Sequence, residues 1–284
     1  MNASRRTLVA ALGLFALALG LRAYVASGTI IAKDAYDLTA LAKAIDRDGW
    51  SAVSTQPPDA VTLHHPMQPA AIALVHRIVP DWMVAAKIAS VGFGALAVLA
   101  MFGFFCRILP PDQALVAGAL AAVHYNLVRF SCDGRSEGAF LFFVAAALWA
   151  AANAFRLCPP GEEAPARAKG LDAIWAVLSG LFCAGAYWTR PEGIGVAILI
   201  AIWAIADRLL RKEEPGLLRV ALGGIVLAAC VAAALPYIVK IGGVTQKRDL
   251  AHFLTASGAP PAKRPVAAKP PPTPPTHPPP HPPP

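Results

Sequence analysis

The stretch "TLVAALGLFALALGLRAYVASGTIIAKDAYDL", Thr7 to Leu38, carries one charge, Arg22, as far as Ala32, and then presents Lys33, Asp34 and Asp37 in quick succession. A bilayer core about 30 Å thick is crossed by about 20 apolar residues in a helix. The first part is therefore expected to cross a membrane, with Arg22 near its end snorkelling to the interface. The aspartates then stand at or just beyond the membrane surface. Arg5 and Arg6 precede the run as in a signal peptide, but a cut after Ala26 would leave bulky Tyr24 where a small residue is needed. An uncleaved first span is expected.

The rest of the chain repeats the pattern. With 56% hydrophobic and 15% charged residues over 284 positions, and a mean hydropathy of +0.53, the composition is that of an integral membrane protein. Apolar runs cover 7–26, 88–106, 113–128, 138–155, 173–189, 193–206 and 220–239. The expected fold is an all-α polytopic membrane protein of about seven transmembrane helices. The formal charge of +8 comes from Lys and Arg dispersed between these runs, not from a basic stripe interleaved with aromatics. It fits topology control and lipid head groups, and nucleic acid is not expected as a partner. Five cysteines show no CxxC spacing and read as apolar fillers rather than a zinc site or disulfide framework.

Arg5, Arg6, Arg107, Arg156, Arg167, Lys169, Arg208, Arg211, Lys212 and Arg219 all fall on one side of this seven-span arrangement. The positive-inside rule then puts the N-terminus in the cytoplasm. Three polar segments share the outer side: the long loop 27–84, "RFSCDGRSEG" and "TRPEG". From Ala35, the apolar or small positions Leu38, Leu41, Ala42 and Ile45 recur at helical spacing, as in a helix lying on the membrane surface. "STQPPDAVT" reads as a turn-rich connector, and "HHPMQPAAIALVHRIVPDW" as a proline-broken apolar segment dipping into the interface. The domain division expected is a transmembrane module over 1–250 and a tail over 251–284. Residues 259–284 hold 14 of the 27 prolines, which suits an extended, disordered, polyproline-like segment.

Several groups in the outer segments could carry chemistry. Asp34 is either a solvated loop charge or a general base toward a hydroxyl, alone or sharing a divalent cation. In "RFSCDGRSEGAFLF" the charges Arg129, Asp133, Arg135 and Glu137 crowd the break between two apolar runs. Each would cost about 2.5–3.5 kcal/mol at mid-bilayer, so they mark either a plain hairpin turn or an acid and cations facing an anionic ligand. Arg190 and Glu192 in "WTRPEG" are similarly isolated. Arg190 is suited to a phosphate through its guanidinium fork, or to anchoring at the interface. His64 and His65 lack a matching ligand cluster, and no metal site is assigned.

The order of these segments resembles the N-terminal membrane module of the GT-C superfamily. Within it the chain is similar to the dolichyl-phosphate-mannose-protein mannosyltransferase-like family, glycosyltransferase family 39, and to bacterial lipid A aminoarabinose transferases. The similarity covers roughly residues 7–250. Asp34 matches the family's first-loop catalytic base, although Ala35 replaces the usual glutamate, which weakens the case for metal sharing there. "HHPMQP" is similar to "HPPLYP" through His65, Pro66 and Pro69, with Gln68 in place of tyrosine. Glu137 matches the second acidic position, and "WTRPEG" preserves Arg190, Pro191, Glu192 and Gly193.

The resemblance implies inverting transfer of a sugar from a polyprenyl-phosphate donor to an acceptor hydroxyl at the outer face, within a bacterial inner membrane. Asp34 and Glu137 would be the catalytic residues; His65, Arg135, Arg190 and Glu192 would bind substrate; a divalent cation is optional. The acceptor is not identified by the sequence. Relatives run well beyond this length, so a shortened member, a fragment or a frameshift product is expected. The alternative function is a non-catalytic membrane scaffold or lipid-binding partner subunit. A transporter would call for related half-repeats, and none is evident.

Overall fold

A computed structural model describes residues 3–54, 65–161, 170–211 and 216–242. Every regular element among them is helical: α1 (Ala3–Gly28), α2 (Lys33–Asp48) and a 3-10 turn (Gly49–Ser54); α3 (Met67–His76), α4 (Trp82–Ile108), α5 (Pro111–Val123) and α6 (Tyr125–Arg129); α7 (Glu137–Ala154), α8 (Leu171–Thr189), α9 (Gly193–Arg211) and α10 (Gly216–Ile241). The tail expected over 251–284, His64 and most of the "STQPPDAVT" connector lie outside the described residues.

Each apolar run falls in one of these helices or, for 113–128, in the pair α5 and α6. Among the described residues four helical stretches are long and apolar enough to cross a membrane: Arg5–Gly28, Trp82–Ile108, Glu137–Ala154 and Leu217–Ile241. Pro111–Val123 and Leu171–Tyr187 are apolar but shorter. The protein is thus an all-α polytopic membrane protein.

The bundle is assembled by neighbours in a chain of contacts: α1 on α4, α4 on α7, α7 on α8, and α8 and α9 on α10. Small residues let these helices approach. The core joining α7, α8, α9 and α10 is built largely from Ala147, Ala151, Ala176, Ala184, Ala197 and Ala204, with Val226 and Phe155 filling between them. In lipid there is little hydrophobic drive between helices, so close packing of small side chains carries the association.

The amphipathic pattern of the first loop becomes α2. Its buried residues are Ala35, Leu38, Thr39, Leu41 and Ala42, and Leu38 and Ala42 pack against Ile72 and Ala73 of α3 and Ala85, Ala86 and Ala89 of α4. α2 therefore lies against protein along its apolar face and leaves Asp34, Asp37 and Asp46 exposed. Asp81 caps α4 by accepting from the backbone N–H groups of Met83 and Val84 at 2.7 and 3.0 Å.

Two local features differ from the sequence reading. The third run is not one helix, because His124 between α5 and α6 has φ −59° and ψ 121°, outside the helical region. Arg22 does not snorkel: it is 1% exposed. Its guanidinium donates to the carbonyls of Ala18 at 3.2 Å and Ala122 at 3.0 Å, and to Ser131 Oγ at 3.0 Å. Ala122 lies in the last turn of α5, where carbonyls lose their helical partners. A buried cation that satisfies such a carbonyl and a hydroxyl holds three segments together, and this competes successfully with reaching water.

Candidate functional site

The site grows from the turn between α6 and α7. Ser131 bonds back to the Leu127 carbonyl and receives Arg22, and Cys132 Sγ lies 3.4 Å from the Arg22 carbonyl. These contacts tie the turn to α1. Gly94 of α4 lies directly beneath it, where an added Cβ would strike the Ser131 side chain. The following residues then reach the start of α2: Ala32 donates its backbone N–H to the Asp133 carbonyl at 3.1 Å. Gly134 has φ +84°, and a Cβ there would stand 3.0 Å from the Ala35 Cβ. Only glycine takes that backbone geometry without strain. Asp34, between Ala32 and Ala35 in sequence, is thereby carried on the first turn of α2 at the edge of the charged turn, exposed to solvent.

Asp133 is buried. Its Oδ2 pairs with Arg135 Nε at 3.0 Å, and Ser90 of α4 donates to the Arg135 carbonyl at 3.1 Å. Burial pushes the Asp133 carboxyl above its ordinary range, and the nearby Arg135 and Arg129 oppose that shift. Further along, Glu137 opens α7 and its Oε1 meets Arg190 Nη2 at 2.7 Å. Arg190 ends α8, donating its own N–H to the Ala186 carbonyl, and its guanidinium stands 6.0 Å from the Phe140 ring centre. The turn 133–137 is the shared support: one end touches the approach to Asp34, the other holds Arg190.

Glu192 is exposed in the tight turn between α8 and α9, and its carbonyl accepts from Gly195 at 3.0 Å. His65 is buried against Tyr187 of α8 and Tyr237 of α10, with ring centres 5.4 and 5.1 Å away. Trp50 joins the same aromatic group through Trp188 and Tyr237. Gln68, one turn after His65, is fully buried, and neither atom of its amide has a hydrogen-bond partner among the described residues. Among the described residues no three His, Cys, Asp or Glu side chains come together as a metal ion would require.

Of three further residues central to this geometry, Arg22 and Lys87 were not singled out as site residues by the sequence, and Asp133 was read only as one of four charges in the break between two apolar runs. Lys87 Nζ donates to the carbonyls of Ala26 and Thr29 at 2.8 and 2.7 Å, closing the end of α1 over α4. All three had a readable sign, a charge inside or bordering an apolar run, which is costly unless it is matched.

Chemically the arrangement offers an exposed carboxylate on the first turn of α2, whose approach meets the turn 133–137, and two arginines on or held by that turn, each with one carboxylate partner and several N–H donors. Fold and site together define a polytopic membrane protein with a charged turn at one end of its bundle. Residues 63–235 match the family model described as dolichyl-phosphate-mannose-protein mannosyltransferase, and the chain belongs to that family of GT-C glycosyltransferases. Among solved structures it is similar to the archaeal oligosaccharyltransferase AglB from Archaeoglobus fulgidus, in complex with an inhibitory peptide and a dolichol-phosphate. That match has a TM-score of 0.64 at 13% identity and covers 87% of this chain and 32% of the other. At that identity the likeness speaks for the fold. No curated protein matches the chain.

Proposed function

We propose that the protein transfers a sugar from a polyprenyl-phosphate donor to an acceptor hydroxyl at the outer face of a bacterial inner membrane, through the module formed by residues 1–250. The observation that carries this reading is the Ala32–Asp133 bond, which brings the approach to Asp34 against a turn bearing Arg135 and, through Glu137, Arg190. Family membership supports the chemistry, and the dolichol-phosphate bound to the archaeal structure supports the class of donor.

In this reaction Asp34 takes the proton from the acceptor hydroxyl as its oxygen attacks the anomeric carbon. The bond from that carbon to the phosphate oxygen breaks, and its electron pair leaves on the lipid phosphate, inverting the centre. A phosphate leaving group needs charge stabilisation more than protonation, and Arg135 and Arg190 supply it through N–H groups their carboxylates leave unused. Glu137 holds Arg190 in position, and His65 and Glu192 bind substrate. The positive-inside pattern of the loops supports an outward-facing site.

Membranes containing the full chain, incubated with radiolabelled polyprenyl-phosphate sugars, test the proposal. Label is expected to leave the donor for a water-soluble or protein-bound acceptor. Donor that binds the chain saturably yet stays intact would overturn the transferase reading in favour of a non-catalytic lipid-binding role.

A further inference from the structure

The carboxamide of Gln68 is fully buried, and neither its oxygen nor its nitrogen has a hydrogen-bond partner among the described residues. A buried amide left unpaired destabilises the fold that holds it, and such groups in folded proteins are nearly always matched. The proposed reaction gives this one nothing to do.

Helix directions place the amide. α2 and α3 run side by side in the same direction: Leu38 and Ala42 share a core with Ile72 and Ala73, and beyond that core Asp46 pairs with Arg77 at 3.8 Å. Asp34 stands one turn before Leu38, and Gln68 one turn before Ile72. α4 runs against α3. Trp82 stacks on His76 at the end of α3, Ala85, Ala86 and Ala89 join the shared core, and Ser90 then reaches the Arg135 carbonyl at 3.1 Å. The Gln68 end of α3 is therefore the Arg135 end. His65, one turn earlier, meets Tyr187 on the last turn of α8, and that helix ends at Arg190. Contacts to three helices thus put Gln68 at the end of the bundle that carries Asp34, Arg135 and Arg190.

The chemistry of the group narrows its ligand. A carboxamide donates through its nitrogen and accepts through its oxygen. An ionised phosphate only accepts, and would leave the oxygen unpaired. A sugar hydroxyl does both, so neighbouring hydroxyls on one ring can match the whole amide. We infer that Gln68 binds the sugar of the donor, its oxygen accepting from one hydroxyl and its nitrogen donating to the next. The amide is covered in the free chain, so the side chains over it shift as the sugar enters, a common change at binding surfaces. The inference rests on the donor class proposed for this site, and concerns recognition of the sugar rather than its transfer.

Binding without turnover tests it. The full chain in detergent would be titrated with undecaprenyl phosphate and with undecaprenyl-phosphate mannose, glucose and galactose, alongside Gln68→Met and Gln68→Leu. The unaltered protein is expected to hold at least one sugar lipid about tenfold more tightly than the bare lipid phosphate, the scale of two hydrogen bonds. Both variants are expected to lose that preference while binding the bare lipid phosphate as before. Their unfolding midpoints without lipid are expected to equal or exceed that of the unaltered protein, because an apolar side chain of similar size removes an unpaired amide. A preference that survives in the variants would overturn the inference, as would the absence of any preference in the unaltered protein. Lower midpoints in both variants would reveal an amide already paired inside the fold, through a buried water for instance, and would overturn it too. None of these readouts depends on label transfer, so failure of the transferase reading and failure of this inference are told apart.

Discussion

The backbone N–H of Ala32 donates to the carbonyl of Asp133 across 3.1 Å, joining segments about one hundred residues apart just before Asp34. This bond has no side-chain component, so it depends on the path of the turn 131–136. The consequences for stability and activity follow from what shapes that path.

Gly134 is the tightest point. With φ +84° and Ala35 directly opposite, Gly134→Ala is expected to cost about 1–2 kcal/mol from the left-handed backbone alone. Denaturant unfolding in detergent measures this. Transfer activity should fall further than stability at a temperature where the variant stays folded, because the Ala32 contact is displaced.

The raised carboxyl of Asp133 makes stability depend on pH. The folded state holds this proton more tightly than the unfolded chain. Stability contributed here is present below the ordinary carboxylate value, about 4, and is lost as pH rises through the higher folded-state value. Asp133→Asn is expected to flatten that slope in pH-dependent unfolding. An unchanged slope would assign the dependence to other groups.

Arg22 satisfies Ala122 and Ser131 from inside the bundle. Arg22→Met should cost about 1–3 kcal/mol, the cost of leaving a buried acceptor unpaired. Arg22→Lys is expected to recover only part of it, since an ammonium lacks the planar fork that reaches separate acceptors. Thermal unfolding of the three proteins side by side gives the comparison.

Arg190 divides its guanidinium between Glu137 and the donor phosphate in the proposed reaction. Arg190→Lys keeps the charge and loses the fork. Transfer is expected to fall about 100-fold, the scale of one lost transition-state donor, while unfolding changes little because the pair is partly exposed.

Much of the architecture was legible because lipid imposes a simple rule on composition. Uninterrupted apolar runs became helices, and the spacing of Leu38, Leu41 and Ala42 foretold the buried face of α2. The break at His124 was not legible: Leu120 to Val128 is apolar enough to read as one helix, and the interruption goes with a carbonyl taken by Arg22 from another helix. Local periodicity carries no trace of such a distant partner. Arg22 itself shows the same limit, since a long side chain near a span end has two outlets and only the packed bundle selects the inward one. Among the site residues, the Glu137–Arg190 contact joins two motifs that the sequence marked separately, "RSEG" and "TRPEG". His65 was readable as part of "HHP", but its place between Tyr187 and Tyr237 depends on how α8 and α10 meet.

Asp34 as the base is the central claim, and it is tested most directly by initial rates of label transfer from polyprenyl-phosphate sugar in membranes holding equal amounts of wild type and Asp34→Asn. The carboxamide fills the same space on an exposed turn and cannot accept the proton. Transfer is expected to fall by about 10²–10⁴-fold with donor binding retained. Equal rates for the two proteins would contradict it.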